Sequence, residues 1–219
     1  MRQAFAGSVV FFVVVSALGC HAPPSMRGVP QVSTPSLVTR AGNPNEFLKV
    51  HTVALLPIAY ESRLRLVGDD RKAKAERDLV SAFAREVDVR IVTTDEVRKR
   101  AADFGQRDPG SLGNELGVDG VVVTTVHQFI ERDGTAIGSE RPASVDFSMR
   151  LLRSGSGAEI WRATYHVKDE ALSENLLALG ERLGSRSVAQ FRDAQEMLAT
   201  GFASAGRDLA EARQLIFQR

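Results

Sequence analysis

At 219 residues, with 28 Lys+Arg against 27 Asp+Glu, the chain is nearly neutral and long enough for one full-sized domain with a segment to spare. A formal net charge of +1 leaves no strong field to draw nucleic acid or an anionic surface, and 6% aromatics are too few for platforms that stack bases or glycans. The single cysteine excludes an internal disulfide.

The first residues point to export. Met1-Arg2-Gln3 is a short positive start, and Ala4 to Val15 is an apolar run containing Val9-Val10-Phe11-Phe12-Val13-Val14-Val15. Ser16-Ala17-Leu18-Gly19 are small or weakly apolar, and Cys20 follows. This is the three-part pattern of a secretory signal over residues 1–19, too short for a span, which needs about 20 apolar residues. Ala17-Leu18-Gly19-Cys20 resembles the bacterial lipobox, although Ala17 stands where leucine is usual. The resemblance implies that Cys20 becomes the mature N-terminus and carries fatty acyl chains (diacylglycerol on sulfur, palmitate-type acylation on the amine). More than one chain holds a protein stably on a bilayer. The residue after the cysteine is His21, not the aspartate that retains such lipoproteins at the inner membrane. The implied location is therefore the periplasmic face of the outer membrane.

Residues 20–46 contain Pro23, Pro24, Pro30, Pro35 and Pro44 among Ser, Thr, Gly and Asn, and read as a flexible tether. The folded domain is expected over 47–219. Val53-Ala54-Leu55-Leu56-Pro57-Ile58 is a continuous apolar run, as in a buried strand, with Pro57 towards its end. Ala75, Leu79, Ala82 and Phe83 recur at helical spacing within 70–86. Val89-Arg90-Ile91-Val92 reads as a second strand. Thr93 three residues before Glu96 is a capping-box signal for a helix to about Phe104. Asp108-Pro109 opens a short helix that Gly117 ends. The cluster Arg98-Lys99-Arg100 reads as a solvated helix face.

Val118 to Val126 is the strongest strand signal and is placed centrally. Val145, Phe147, Met149 and Leu151 alternate with polar residues, as do Trp161, Ala163, Tyr165 and Val167. With Ser154-Gly155-Ser156-Gly157 between them they predict an antiparallel hairpin, its apolar side in the core. Leu172, Leu176, Leu177 and Leu179, and then Met197 to Ile216, mark terminal helices, with Gly201 and Gly206 as interruptions. The fold class expected is α/β with α+β character at its end: a mixed sheet of about five strands with helices packed on it.

No catalytic or metal pattern emerges. HExxH, CxxC, the phosphate loop and the G-x-S-x-G elbow are all absent from the sequence. His21, His51, His127 and His166 are spread over separate segments, and no metal site or cofactor is expected. Asp119, at a strand start, is expected to accept backbone N–H bonds.

Three motifs carry a resemblance. His51-Thr-Val-Ala-Leu-Leu-Pro-Ile58 followed by a helix and Val89-Arg-Ile-Val-Thr93, then Leu116-Gly-Val-Asp-Gly-Val-Val-Val-Thr-Thr-Val126, then Leu151-Leu-Arg-Ser-Gly-Ser-Gly-Ala-Glu-Ile-Trp161, are similar to the opening strand, central strand and hairpin of the TolB amino-terminal domain, LpoB and CsgG group. They cover roughly 51–166, and the chain departs from the group after Glu170. The resemblance implies a TolB-like fold without shared catalytic residues. It also implies a role in building or regulating the cell envelope: a non-enzymatic binding module whose partners are the bilayer, through Cys20, and an envelope protein or cell-wall component. The alternative is a subunit of a CsgG-like secretion channel. The polar loop over 131–141 is the expected partner-binding element, with Arg132, Glu140 and Arg141 as its candidate residues.

Overall fold

The computed structural model describes residues 35–42, 44–64, 67–134, 139–168 and 193–217. The expected signal, Cys20 and the helix through Leu172 to Leu179 lie outside them. Nine strands and five α-helices are described: β1 Ser36–Ala41, α1 Pro44–Leu48, β2 Thr52–Leu55, β3 Ala59–Tyr60, α2 Asp69–Glu86, β4 Arg90–Val92, α3 Thr94–Arg100, α4 Pro109–Leu116, β5 Gly120–Ile130, β6 Asp133–Gly134, β7 Ser139–Arg141, β8 Ser144–Arg153, β9 Glu159–Lys168 and α5 Ala194–Phe217.

The fold is mixed α/β. A 7-stranded sheet runs in the order β1-β9-β8-β5-β2-β4, with β3 pairing β5 beyond the end of β2. The early crossovers make β2 parallel to both β4 and β5, whereas β5, β8, β9 and β1 pair antiparallel. Parallel neighbours need a crossover, and the 18-residue α2 supplies one between β2 and β4.

Two strands exceed the five expected. β1 lies in the stretch read as tether and docks antiparallel along β9 from Ser36↔His166 to Ala41↔Trp161. The ordered domain therefore begins before Phe47. The Pro and Ser content of 20–46 masked a strand whose inward residues are only half-buried. β3 arises because Pro57 has no N–H to continue the β2 ladder. The last ladder bond there is Leu56 N to Val122 O at 3.0 Å, and pairing with β5 resumes at Ala59↔Thr125.

Local signals act as anticipated at most helix ends. The Thr93 hydroxyl accepts from Glu96 N, and the Glu96 side chain accepts from Thr93 N at 2.8 Å, closing the capping box. α3 stops at Arg100, earlier than Phe104, and a short 3-10 turn covers Phe104–Gln106. The Asp108 side chain caps α4 through Ser111 N, Pro109 takes the first turn, and Gly117 closes the helix at φ 68°, where a Cβ would be strained. Asp119 Oδ2 accepts from both His51 N and Thr52 N at 2.9 Å, fastening the start of β2 to the start of β5.

Helices α1, α2 and α5 cover one face of the sheet. Leu79, Phe83, Phe147, Trp161, Tyr165 and Phe202 are buried in this main core. α3 and α4 cover the β4-β2-β5 part of the other face around Ala54, Val92, Val97, Leu112 and Val121. Gly201 and Gly206 do not interrupt α5, which runs through both. Gly201 sits where the helix meets the sheet: a Cβ there would stand 2.5 Å from Phe147 Cε1 and 2.8 Å from Tyr165 Cδ1. The glycine lets the helix approach an aromatic stack in which Phe147 and Tyr165 lie 5.1 Å apart.

Candidate functional site

A cleft opens where β2 and β4 end, between α2 and α3. Its volume is about 750 Å³, and its walls include Ile58, Tyr60, Lys72, Glu76, Arg98 and Phe104. Clefts outside the carboxyl ends of parallel strands are the usual ligand sites of such sheets, because the crossing helices diverge there. Its floor is an ion pair. Glu76, only 7% exposed, receives Arg98 Nη2 on both carboxylate oxygens at 2.6 Å and Ile58 N on Oε1 at 3.2 Å. The α2 periodicity places Glu76 beside the core residues Ala75 and Leu79, and the capping box aims α3 so that Arg98 reaches it.

Arg98, Lys99 and Arg100 are all exposed, as expected of a solvated helix face, and Arg98 also reaches Glu76 from it. Asp95 adds a second contact to Arg98 at 3.3 Å, and Asp69 holds Lys72 at 3.3 Å. The Lys72 ammonium lies 5.9 Å from the Tyr60 ring centroid. Burial, and behind it the Glu76 charge, push the Tyr60 phenol well above its ordinary value, so it stays protonated. The cleft's charges mostly neutralise one another. It has the volume for a small polar molecule, with Tyr60 and Phe104 as apolar walls.

A smaller hollow of about 420 Å³ lies along α2, lined by Arg71, Lys74, Arg77 and Glu131 among others. Glu131, which begins the expected partner-binding loop, pairs there with Arg71 at 2.5 Å. The described part of that loop is not irregular. β6 and β7 form a separate two-stranded ribbon with Asp133↔Arg141 and Gly134↔Ser139 in register. Arg132 is half-buried just before β6, and Glu140 and Arg141 lie on β7.

One constellation escaped the sequence entirely. His127 Nδ1 lies 2.6 Å from Glu61 Oε1, and its Nε2 lies 2.8 Å from Ser148 Oγ. Strand pairing alone assembles it: β3 carries the chain past β5, and β8 runs beside β5. A register shift between Val126 and Gln128 accompanies it. The order carboxylate–imidazole–hydroxyl is that of a nucleophilic relay. The hydrogen bond to His127, with Arg63 beside it, holds the Glu61 carboxyl below its usual range. Yet Ser148 sits mid-strand, paired to Thr125 on one side and Thr164 on the other. Neighbouring backbone N–H groups are thereby committed to the ladder and not offered to a developing oxyanion. Neither cavity above is lined by Ser148 or His127.

The other described histidines do not converge. His51 is exposed at the start of β2, and His166 faces Asp146 at 3.3 Å. Among the described residues no group of three or more His, Cys, Asp or Glu could hold a metal ion. No helix among them is long and apolar enough to cross a membrane. Trp161 and Tyr165, expected in the core, are 1% exposed.

No protein-family model matches the chain, and no curated protein sequence matches it. Solved structures are similar to it in fold. The PelC dodecamer from Paraburkholderia phytofirmans aligns over 81% of this chain and 98% of its own, with TM-score 0.46 and 15% identity. Protein XCC0632 from Xanthomonas campestris covers 78% of this chain and 89% of its own, at TM-score 0.44 and 10% identity. The lipoprotein GNA1162 from Neisseria meningitidis covers 61% of this chain and 97% of its own, at TM-score 0.43 and 19% identity.

Proposed function

We propose that this chain is a lipoprotein of the bacterial cell envelope, anchored by acylated Cys20 on the periplasmic face of the outer membrane. It works as a non-enzymatic assembly or regulatory module that binds an envelope protein or a cell-wall component. The observation that carries the reading is the lone cysteine placed directly after a short apolar run and small residues. The motifs similar to the TolB amino-terminal domain, LpoB and CsgG group agree with it.

Two features support a binding role over catalysis. No residue of the Ser148–His127–Glu61 relay lines either cavity, and most acids and bases of the first cleft pair with each other. A Ser148→Ala variant should therefore keep full partner capture in cells.

The anchor is tested by metabolic labelling with palmitate. The wild type should take up label and a Cys20→Ser variant should not. Equal labelling of both, or of neither, would remove the basis of the proposal.

A further inference from the structure

The part of the sheet that no described helix covers carries an unbalanced row of charge. Directly paired residues of antiparallel strands project from the same face. β1 pairs Arg40 with Arg162, and β8 pairs Arg150 with the same Arg162. Three guanidinium groups therefore stand side by side across β1, β9 and β8. α3 and α4 cover the other end of this face, and no described helix covers the row; Arg40 and Arg162 are exposed and Arg150 half-exposed.

One carboxylate answers the three. Glu159 pairs with Arg162 at 2.6 Å, and Arg162 first, then Arg150 and Arg40, hold its carboxyl below the usual range. Among the described residues Arg40 and Arg150 close no ion pair. Like charges directly opposite on a sheet cost stability. A charge on an edge strand such as β1 deters sheet-to-sheet pairing. Arg150 and Arg162 lie on interior strands, where that explanation does not apply. In the adjoining row stand Val38, Thr164 and Ser148, with Val38 65% exposed.

We propose that this face of β1, β9 and β8 is a docking surface for a carboxylate-rich segment of a partner protein. The guanidinium fork matches carboxylates in two-point contact. Adjacent strands lie about 4.8 Å apart, so the row extends about 10 Å. That span suits several carboxylates spread along a polymer better than one phosphate headgroup, which needs donors converging on a point. Val38 supplies an apolar contact, and Thr164 supplies a hydroxyl to a polypeptide laid across the strands. The proposal rests on the binding-module reading but not on the anchor at Cys20.

The test uses the full chain in neutral detergent and fluorescein-labelled poly-L-glutamate, read by anisotropy. The wild type should bind, and more weakly as salt rises. Arg40→Gln with Arg150→Gln should weaken binding about tenfold. The urea midpoint should hold or rise, because like-charge repulsion is relieved. Arg85→Gln with Arg207→Gln, elsewhere on the surface, should leave binding unchanged. Arg40→Gln alone, on the exposed edge, should still weaken binding. Wild-type-like binding by both the single and the double variant overturns the proposal. Displacement of the probe by phosphatidylglycerol in mixed micelles, but not by neutral lipid, also overturns it and assigns the face to lipid headgroups. Failure of palmitate labelling leaves this assay unaffected, so the two readings fail separately.

Discussion

The indole N–H of Trp161 donates to Asp208 Oδ1 at 3.0 Å, tying the most voluminous buried side chain of the sheet to α5. The other oxygen of Asp208 accepts from the Thr39 hydroxyl at 2.9 Å. One carboxylate thus joins the last helix to the edge strand β1 and to its neighbour β9.

Replacing Asp208 with alanine strands the indole donor in the core, where an unpaired group costs roughly 1–3 kcal/mol. Asp208→Ala should lower stability by about 2 kcal/mol in urea unfolding. Asp208→Asn, which keeps one acceptor, should lose less. A neutral Asp208→Ala would mean that the bond contributes nothing.

The two glycines of α5 should respond in opposite directions. Alanine raises helix propensity by about 1 kcal/mol over glycine. At Gly206 a Cβ meets nothing closer than Glu86 Cβ at 3.4 Å, so Gly206→Ala should stabilise by about 0.5–1 kcal/mol. At Gly201 the new methyl would strike the Phe147 and Tyr165 rings, and overpacking costs roughly 1–3 kcal/mol. Gly201→Ala should destabilise despite its propensity. Thermal midpoints of the two variants decide the matter.

Arg98→Ala should cost about 2 kcal/mol, because it leaves the Glu76 carboxylate facing the core with only the Ile58 N–H. Glu76→Gln should cost less, and the double variant less than the sum of the two. A double-mutant cycle measured by denaturant unfolding reports that coupling, and strict additivity would show the pair to be independent.

Acid should weaken the fold. Glu96, chiefly through the Thr93 backbone N–H, and Glu159, chiefly through Arg162, have carboxyls held below glutamate's ordinary value of 4.5, and so do Glu46 and Glu61. A lowered folded-state value means the unfolded chain takes up protons first as pH falls. The stability these groups contribute is present in full above 4.5 and is lost as pH drops through their lowered values. Urea midpoints should be flat above that point and decline below it. Glu96→Gln, which retains an acceptor for Thr93 N–H, should make the decline shallower.

The β6-β7 ribbon gives a separate prediction for partner capture. Changing Arg132, Glu140 and Arg141 together to alanine should reduce in-cell crosslinking to the partner, with the urea midpoint unchanged. Undiminished crosslinking would dismiss the ribbon as a contact.

Local patterns in the sequence determined the helix caps at Thr93 and Asp108, the turn at Gly117, the parallel β2-α2-β4 unit and the β8-β9 hairpin. Periodicity and capping act over a few residues, so neighbours in the chain suffice to specify them. They also determined the apolar sides of β8 and β9, because alternation marks one face whatever covers it. β1 was not legible, since a half-exposed edge strand among prolines shows no burial pattern until β9 lies beside it. The continuity of α5 through Gly201 was hidden as well, because what a glycine makes room for lies on another element. The Glu76–Arg98 pair, the His127 contacts and the arginine row across Arg40, Arg162 and Arg150 were decided by tertiary structure alone. Their members are far apart in sequence, and only strand register and helix packing bring them within reach.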